Sequence, residues 1–285
     1  MHCYCPAGQD FHFSDAIPEL EPFEIKNGTA SSAVPFVPHL FHENKLISRT
    51  EGWVGDVRHI MEVYDTSRGI LLKVEGGGEF IITPHGETIG KRNPHEELTK
   101  LDREIIVGPA LVLALALRGV WSLHASATLF RESVIVFLGE SGQGKSTLAA
   151  YLSQIAGWRL VADDILPVKI DPNGVSVLPR FPQLKLPMHA QPGVGLPEQL
   201  PLKYICVLAH AEPDQKPELL PLSPTQAVQT LLSHIAGTRM YDASLLTKHL
   251  EFSTQAAKQI PAYRLIHPHH RDALPLVREF LEKIC

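Results

Sequence analysis

The pattern of apolar and polar positions changes character once along this chain, near residue 95. Before that point apolar residues come in short runs that stop at glycine or proline. Lys73-Val74-Glu75 ends at Gly76-Gly77-Gly78, and Phe80-Ile81-Ile82-Thr83 ends at Pro84-His85-Gly86. Runs of this length between turn residues predict small twisted strands. Residues 1–95 are therefore expected to form a β-rich N-terminal domain, and residues 96–285 a second one. At their boundary, Pro94-His-Glu-Glu-Leu-Thr-Lys-Leu opens a helix with its acidic residues early, where the helix dipole favours them. The apolar run from Ile105 to Leu117 continues that helix or forms another, ending before Gly119.

Strand and helix periods then alternate, which predicts an α/β domain. Trp121 to Leu129 and Val134 to Leu138 read as strands joined at Arg131-Glu132-Ser133, and the second runs directly into Gly139. Lys145 to Ile155 reads as a helix, and Arg159 to Ala162 as a strand ending in Asp163-Asp164. Leu166 to Ile170 and Val175 to Leu178 flank Asp171-Pro172-Asn173-Gly174, the turn chemistry of a hairpin. Tyr204 to Leu208 is a further strand. Ser223 caps a helix with Pro224 at its first position, running to Gly237. A helix over Leu245–Lys258, a strand over Tyr263–Ile266 and a helix over Arg271–Ile284, with Pro275 in its first turn, complete the reading.

Between strand and helix stands Gly139-Glu140-Ser141-Gly142-Gln143-Gly144-Lys145-Ser146-Thr147, of the form G-x-x-x-x-G-K-S/T. Such a loop turns its backbone N–H groups and the helix N-terminus toward phosphate oxygens. Lys145 adds a point charge on the β- and γ-phosphates, and the Ser146 hydroxyl is a Mg²⁺ ligand. A motor or GTPase would carry switch and base-recognition motifs, and neither N-K-x-D nor D-x-x-G at GTPase spacing occurs. Instead Asp163-Asp164 follows the loop helix by one strand, which is expected to run back beside the loop strand and end at the sheet edge where ligands gather. Two carboxylates there divide the work, one holding the metal and the other accepting a proton from an incoming hydroxyl. An exposed Asp-Asp turn is the plainer alternative. His124 lies on the strand before the loop strand, and adjacency would bring it near Asp164 to hold that carboxylate and tune its proton affinity. Taken alone, a histidine among Leu123, Ala125 and Ala127 reads more readily as a hydrogen-bonded core residue.

The formal net charge is −5 over 285 residues, which gives no electrostatic case for nucleic acid or an anionic membrane as partner. The longest apolar run, residues 105–117, contains Pro109 and falls short of the roughly 20 residues a membrane span needs. No signal-peptide pattern is visible at the N-terminus, and the expected setting is cytoplasmic. Cys3, Cys5, Cys206 and Cys285 are too few and too scattered for a disulfide scaffold, and Cys3 and Cys5 read as reduced thiols. His2, His12, His39, His42, His59 and His85 show no helical i, i+4 pairing and are read as scattered histidines rather than metal ligands.

Three segments in order carry a family resemblance: Leu123-His-Ala-Ser-Ala127, the glycine loop through Leu148, and Leu160-Val-Ala-Asp-Asp164. In these the chain resembles the HPr kinase/phosphorylase superfamily, and more closely the HPr-kinase-like serine kinases associated with lasso peptides. The resemblance spans roughly residues 117–186; Ser14 to Leu20 is a weaker match to the lasso-associated kinases. It implies a P-loop kinase domain of the HPr kinase/phosphoenolpyruvate-carboxykinase-like type, with a sheet of mixed strand direction. It implies ATP and Mg²⁺ as cofactors and a serine on a peptide or small protein as acceptor. It further implies Asp164 as base toward that serine, His124 as its partner, Lys145 and Ser146 at the phosphates, and leaves Asp163 near the metal. A homo-oligomer is compatible with it.

The family's downstream glycine-rich signature, with a Glu that helps hold Mg²⁺, is not recognisable. Leu178-Pro-Arg-Phe-Pro-Gln-Leu-Lys-Leu186 stands in its place and resembles the lasso-type proteins. There Arg180 and Lys185 serve phosphate charge, an acceptor carboxylate or an ordinary surface loop, and Arg239 is a second candidate cation that reads more readily as a helix-terminal arginine stabilised by the dipole. Two other readings of the same residues remain open. One is a small-molecule kinase acting on an amino acid or sugar; the other is a nucleotide sensor without catalysis.

Overall fold

A computed structural model describes residues 2–13, 15–25, 43–93, 95–184, 186, 191–193, 195–212 and 215–284. Ser14, His39, His42, Pro94, Lys185 and Cys285, each singled out above, lie outside the described residues. The chain is a mixed α/β protein that divides into two compact units. The first is built chiefly from Met1–Ser122 with Gly237–Lys248; the second from Leu123–Lys185, Ala190–Ala236 and His249–Cys285.

In the first unit β1 (His2–Tyr4) and β2 (Phe11–Phe13) form a two-stranded ladder. An antiparallel sheet follows in simple order: β3 (Glu43–Val54), β4 (Val57–Thr66), β5 (Gly69–Val74), β6 (Glu79–Ile82) and β7 (Ile89–Lys91). Its core is Val63, Leu71, Leu72, Phe80, Ile81 and Ile82, all fully buried. The expected helix at Pro94 starts later. Residues 95–99 are irregular, and α1 (Lys100–Ile105) begins after Thr99, whose hydroxyl accepts from the Asp102 amide while Asp102 accepts from the Thr99 amide. This reciprocal cap satisfies two donors that the helix start would otherwise leave open. Asp102 also takes the Lys91 ammonium at 3.1 Å and the Gly78 amide at 2.7 Å. Burial pushes its carboxyl pKa up, but the bonds from Thr99, Lys91 and Gly78 outweigh that and hold it below the usual range. Gly108 and Pro109 interrupt the apolar run, so α2 (Leu111–Leu117) is a separate helix.

The second unit is centred on a seven-stranded mixed sheet. Its strands are β8 (Trp121–Phe130, beginning in the first unit), β9 (Ser133–Leu138), β10 (Trp158–Asp171), β11 (Gly174–Val177), β12 (Leu200–Ala211), β13 (Glu218–Pro221) and β14 (Ala262–Pro268). The order is β11-β10-β8-β9-β12-β14-β13. β9 runs antiparallel to β8 and parallel to β12, and β12 is parallel to β14. A further pairing of Ser176 and Val177 with Pro201 and Leu200 joins β11 to the start of β12. That contact closes five strands into a ring at the end remote from Gly139.

On one face α3 (Lys145–Ser153) and α6 (Leu274–Ile284) cover the sheet, burying Leu148, Leu152, Val277 and Leu281 against Ile135, Phe137, Cys206, Leu208 and Leu265. Each fully buried Leu or Phe of this cluster contributes roughly 1.5–3 kcal/mol. Phe130 stacks on Trp158 with centroids 4.6 Å apart, tying the β8–β9 turn to the start of β10. α4 (Pro224–His234) has the expected Ser223 cap, reinforced by Gln226, and ends three residues before Gly237. α5 (Ala243–Gln259) completes the helices. No helix among the described residues is long and apolar enough to cross a membrane.

Two expectations about β10 are corrected. It does not stop at the acidic pair but continues to Asp171, because Leu166 and Val168 supply further inward-facing positions and Ile170 pairs with β11. Nor does it lie beside the loop strand: β8 stands between them. The short connection Arg131-Glu132 makes β8 and β9 an antiparallel hairpin, and β8 thereby takes the position beside β9.

Candidate active site

β8 explains why a histidine sits where it does. Its odd positions, Leu123, Ala125, Ala127 and Leu129, are apolar and buried, while the even ones carry Ser122, His124, Ser126 and Thr128. Period-two alternation therefore puts His124 and Ser126 on one face. Ser126 is opposite Phe137 of β9, so extending that register by two residues brings His124 level with Gly139, where the glycine loop begins.

From β10, Asp163 and Asp164 meet that face together. The Ser126 hydroxyl donates to Asp163 Oδ1 at 2.6 Å, and His124 Nε2 lies 3.4 Å from Asp164 Oδ1. Consecutive residues of a regular strand point to opposite faces, so one residue must break the alternation. Asp164 does: its φ is 140°, in the positive region that L side chains rarely adopt. Gln183, 1% exposed, fixes the break from behind. Its Oε1 accepts from the Asp163 amide at 2.9 Å and its Nε2 donates to the Ile165 carbonyl at 2.8 Å, so one side chain brackets the acidic pair. Gln191 Oε1 in turn accepts from the Gln183 amide at 2.7 Å. His124 is 45% and Asp164 20% exposed, which leaves both open to an incoming group.

The loop Gly139–Gly144 links the end of β9 to α3. Gly139 has φ 149°, and a Cβ there would stand 2.3 Å from Gln143 Oε1, which itself accepts from the Glu140 amide. The φ favours glycine there, whereas the Gln143 amide lies at the end of a flexible side chain that can give way. Lys145, largely buried, folds its ammonium back over the loop onto the Gly139 carbonyl at 2.7 Å and the Glu140 carbonyl at 3.1 Å. The first intrahelical bond runs from the Leu148 amide to the Gly144 carbonyl. The amides at the preceding turn are thus the donors a helix start leaves over. Glu140, Ser141, Ser146 and Thr147 are exposed or nearly so at this mouth, and Gly142, Gln143 and Gly144 line it.

Hence His124, Asp163, Asp164 and the loop from Gly139 to Thr147 all belong to the second unit and to one end of its sheet. With strands about 4.8 Å apart, Asp164 stands two strands, about 10 Å, from the strand that launches the loop. Arg180 pairs with Glu198 at 3.4 Å, and Arg239 is exposed on a short 3-10 turn of the first unit. Ser126 and Gln183 were missed from sequence. Ser126 was legible, being two residues from His124 on a strand, whereas nothing local marks Gln183 as the partner of residues 20 positions away.

The donor set fits a hard cation held partly by substrate. Ser146 offers a hydroxyl and Asp163 a carboxylate, and among the described residues no group of three or more His, Cys, Asp or Glu side chains forms a protein-only metal cage. Mg²⁺ is commonly held in this way, by one or two protein oxygens plus phosphates and water.

No family model and no curated protein matches the chain. Among solved structures it is similar to the Hpr(Ser) kinase/phosphatase from Coxiella burnetii, at 16% identity and a TM-score of 0.34, covering 57% of this chain and 97% of that one. A likeness of that size carries no weight for this chain's chemistry, which stands on the geometry above.

Proposed function

We propose that the protein is an ATP- and Mg²⁺-dependent phosphotransferase acting on a hydroxyl, a serine of a peptide or small protein. The observation that carries this reading is the contact of His124 Nε2 with Asp164 Oδ1 at the glycine-loop end of the sheet. A bare nucleotide sensor has no use for a carboxylate held there in a disfavoured backbone conformation beside an imidazole.

The loop amides and Lys145 bind the β- and γ-phosphates, with Glu140, Ser141, Gly142 and Gln143 forming the turn that presents them. Ser146 and Asp163 would hold Mg²⁺, which when bound would supply positive charge against the phosphates. Asp164 accepts the proton of the acceptor hydroxyl as its oxygen bonds to the γ-phosphorus and the bond to the departing ADP oxygen breaks. His124 orients that carboxylate, and Ser126 and Gln183 keep Asp163 and Asp164 on one face. Placement and charge complementarity supply most of the acceleration in such a reaction.

The test is γ-phosphate-labelled ATP with Mg²⁺ against a library of serine-bearing peptides, with free amino acids and sugars alongside. Label on a peptide serine supports the reading, and label only on a small molecule replaces the acceptor class. Asp164→Asn is expected to keep nucleotide affinity and lose transfer by about 10²–10⁴-fold. Normal transfer by that variant would overturn the role of Asp164.

A further inference from the structure

In the first unit β3 is an edge strand, with β4 on one side and no strand on the other. Thr238–Met240 packs against it, but among the described residues no backbone group of another segment besides β4 bonds to it. The opposite edge of that sheet differs: the His12 amide of β2 donates to the Glu87 carbonyl and His12 bridges to Thr88, next to β7. Which groups of β3 are left open follows from its turn. Gly55-Asp56 is a two-residue connection with Gly55 at φ 58°, so the flanking pair Val54–Val57 exchanges hydrogen bonds and the pairs alternate from there. Ser48, Thr50 and Gly52 thus direct their N–H and C=O groups to β4, while Arg49, Glu51 and Trp53 direct theirs outward. Of these outward groups only the Glu51 carbonyl is bonded among the described residues, by the exposed Thr50 hydroxyl at 3.3 Å.

Edge strands are commonly blunted by charge, and β3 carries its charges in a self-complementary order. Arg49 and Glu51 lie two apart on one exposed face with Trp53, which is 64% exposed and has the Arg58 guanidinium 5.2 Å from its ring centroid. Arg49 pairs with Glu62 at 3.1 Å and Glu51 with Arg58 at 3.8 Å, both in the open, where such pairs add little alone. A second copy added antiparallel continues the sheet with like faces together. Centred on Thr50, it sets Arg49 opposite Glu51 of the copy, and Glu51 opposite Arg49. Across four strands the row then reads Glu62, Arg49, Glu51, Arg58, alternating in sign, and symmetry repeats it. Centring on Arg49 or on Glu51 instead sets like charges opposite, and parallel pairing sets Arg49 beside Arg49. A register shift between Leu46 and Ser48 ends the regular ladder, so the pairing spans Ser48 to Gly52, with Trp53 meeting Ile47 at the irregularity.

We propose that β3 pairs with β3 of a second copy of this chain about a two-fold axis at Thr50, joining the two five-stranded sheets into one. The outward N–H and C=O groups of Arg49 and Glu51 exchange hydrogen bonds across the axis, and Trp53 leaves solvent against Ile47 of the other copy. The arrangement closes at two chains, because it consumes β3 of each. One strand on another is a small interface, so the dimer forms in the micromolar range rather than at high dilution. It is built within the first unit and does not depend on the reaction at the glycine loop.

Sedimentation velocity on the full chain over a concentration series tests this. The wild type should pass from monomer to dimer as concentration rises. Arg49→Glu and Glu51→Arg should each weaken the dimer by about ten-fold or more, since each sets like charges opposite at two places. Mixed in equal amounts, those two variants should regain wild-type association as a heterodimer, and the double variant R49E/E51R should regain it alone. Both side chains are exposed, and circular dichroism checks that each variant folds. Glu51→Pro removes an outward amide while sparing the β3–β4 ladder, and should be monomeric. A wild type that stays monomeric into the high micromolar range overturns the proposal. That holds also if hydrogen exchange then shows β3 protected by an added peptide, which would be the occupant instead. A dimer that both single variants and their mixture leave unchanged overturns it as well.

Discussion

Asp164 offers the sharpest test of the site's construction, because its backbone makes a prediction opposite in sign to the usual one. In an ordinary strand, glycine is less stable than alanine by roughly 0.5–1 kcal/mol, since it loses more freedom on folding. At residue 164 φ is 140°, where an L side chain costs about 1–3 kcal/mol and glycine nothing comparable. Asp164→Gly and Asp164→Ala both remove the contact with His124, so its loss cancels between them. That contact is itself worth only about 0–1 kcal/mol, given that His124 is 45% exposed. The difference leaves the glycine variant ahead of the alanine variant by about 1 kcal/mol, or roughly 2–4 °C in Tm for a unit of this size. Urea unfolding followed by circular dichroism, with scanning calorimetry, measures it. Both variants should be inactive in transfer. If the alanine variant proves as stable as the glycine one, residue 164 is not strained, and the argument that its conformation serves the chemistry falls.

The remaining expectations concern groups the reaction does not consume. Gln183→Ala should destabilise the second unit by about 1–3 kcal/mol, because it leaves the part-buried Asp163 amide and Ile165 carbonyl without their partner; it should also lower transfer with nucleotide affinity nearly kept, and an unchanged kcat would remove Gln183 from the site. Acid should weaken the fold below about pH 6.5, the ordinary histidine value. Burial lowers the pKa of both His249 and His267, so their contribution is complete above the unfolded value and is lost as pH falls toward the folded one, where the unfolded chain binds more protons. The double variant His249→Gln/His267→Gln should flatten that slope in chemical denaturation from about pH 5 to 7; an unaltered slope would assign acid sensitivity elsewhere.

How far the chain could be read in advance varies by element. The glycine loop is continuous in sequence, and its shape is set by its own glycines and by the Lys145 contacts with the Gly139 and Glu140 carbonyls, so a local pattern is sufficient to recognise it. The caps at Ser223 and the turn at Asp171–Gly174 were legible for the same reason. The late start of α1 was not, because Asp102 serves as cap only where Lys91 and Gly78, distant in sequence, converge on its carboxylate. β13 went unread: Glu218–Pro221 has no apolar alternation, and it is a strand because β14 offers an unpaired edge.

By itself, then, the order of residues determined the groups on offer: a glycine-rich loop of the form G-x-x-x-x-G-K-S/T, two adjacent carboxylates and a histidine on a strand of alternating polarity. Tertiary structure alone decided that β8 would separate the acidic strand from the loop strand, and that Asp164 would turn its side chain onto the face of Asp163. The reason is physical. Local pattern specifies which way a side chain leaves its own strand, whereas strand order and a disfavoured φ are settled by burial and hydrogen bonds from segments far along the chain, here Gln183 above all.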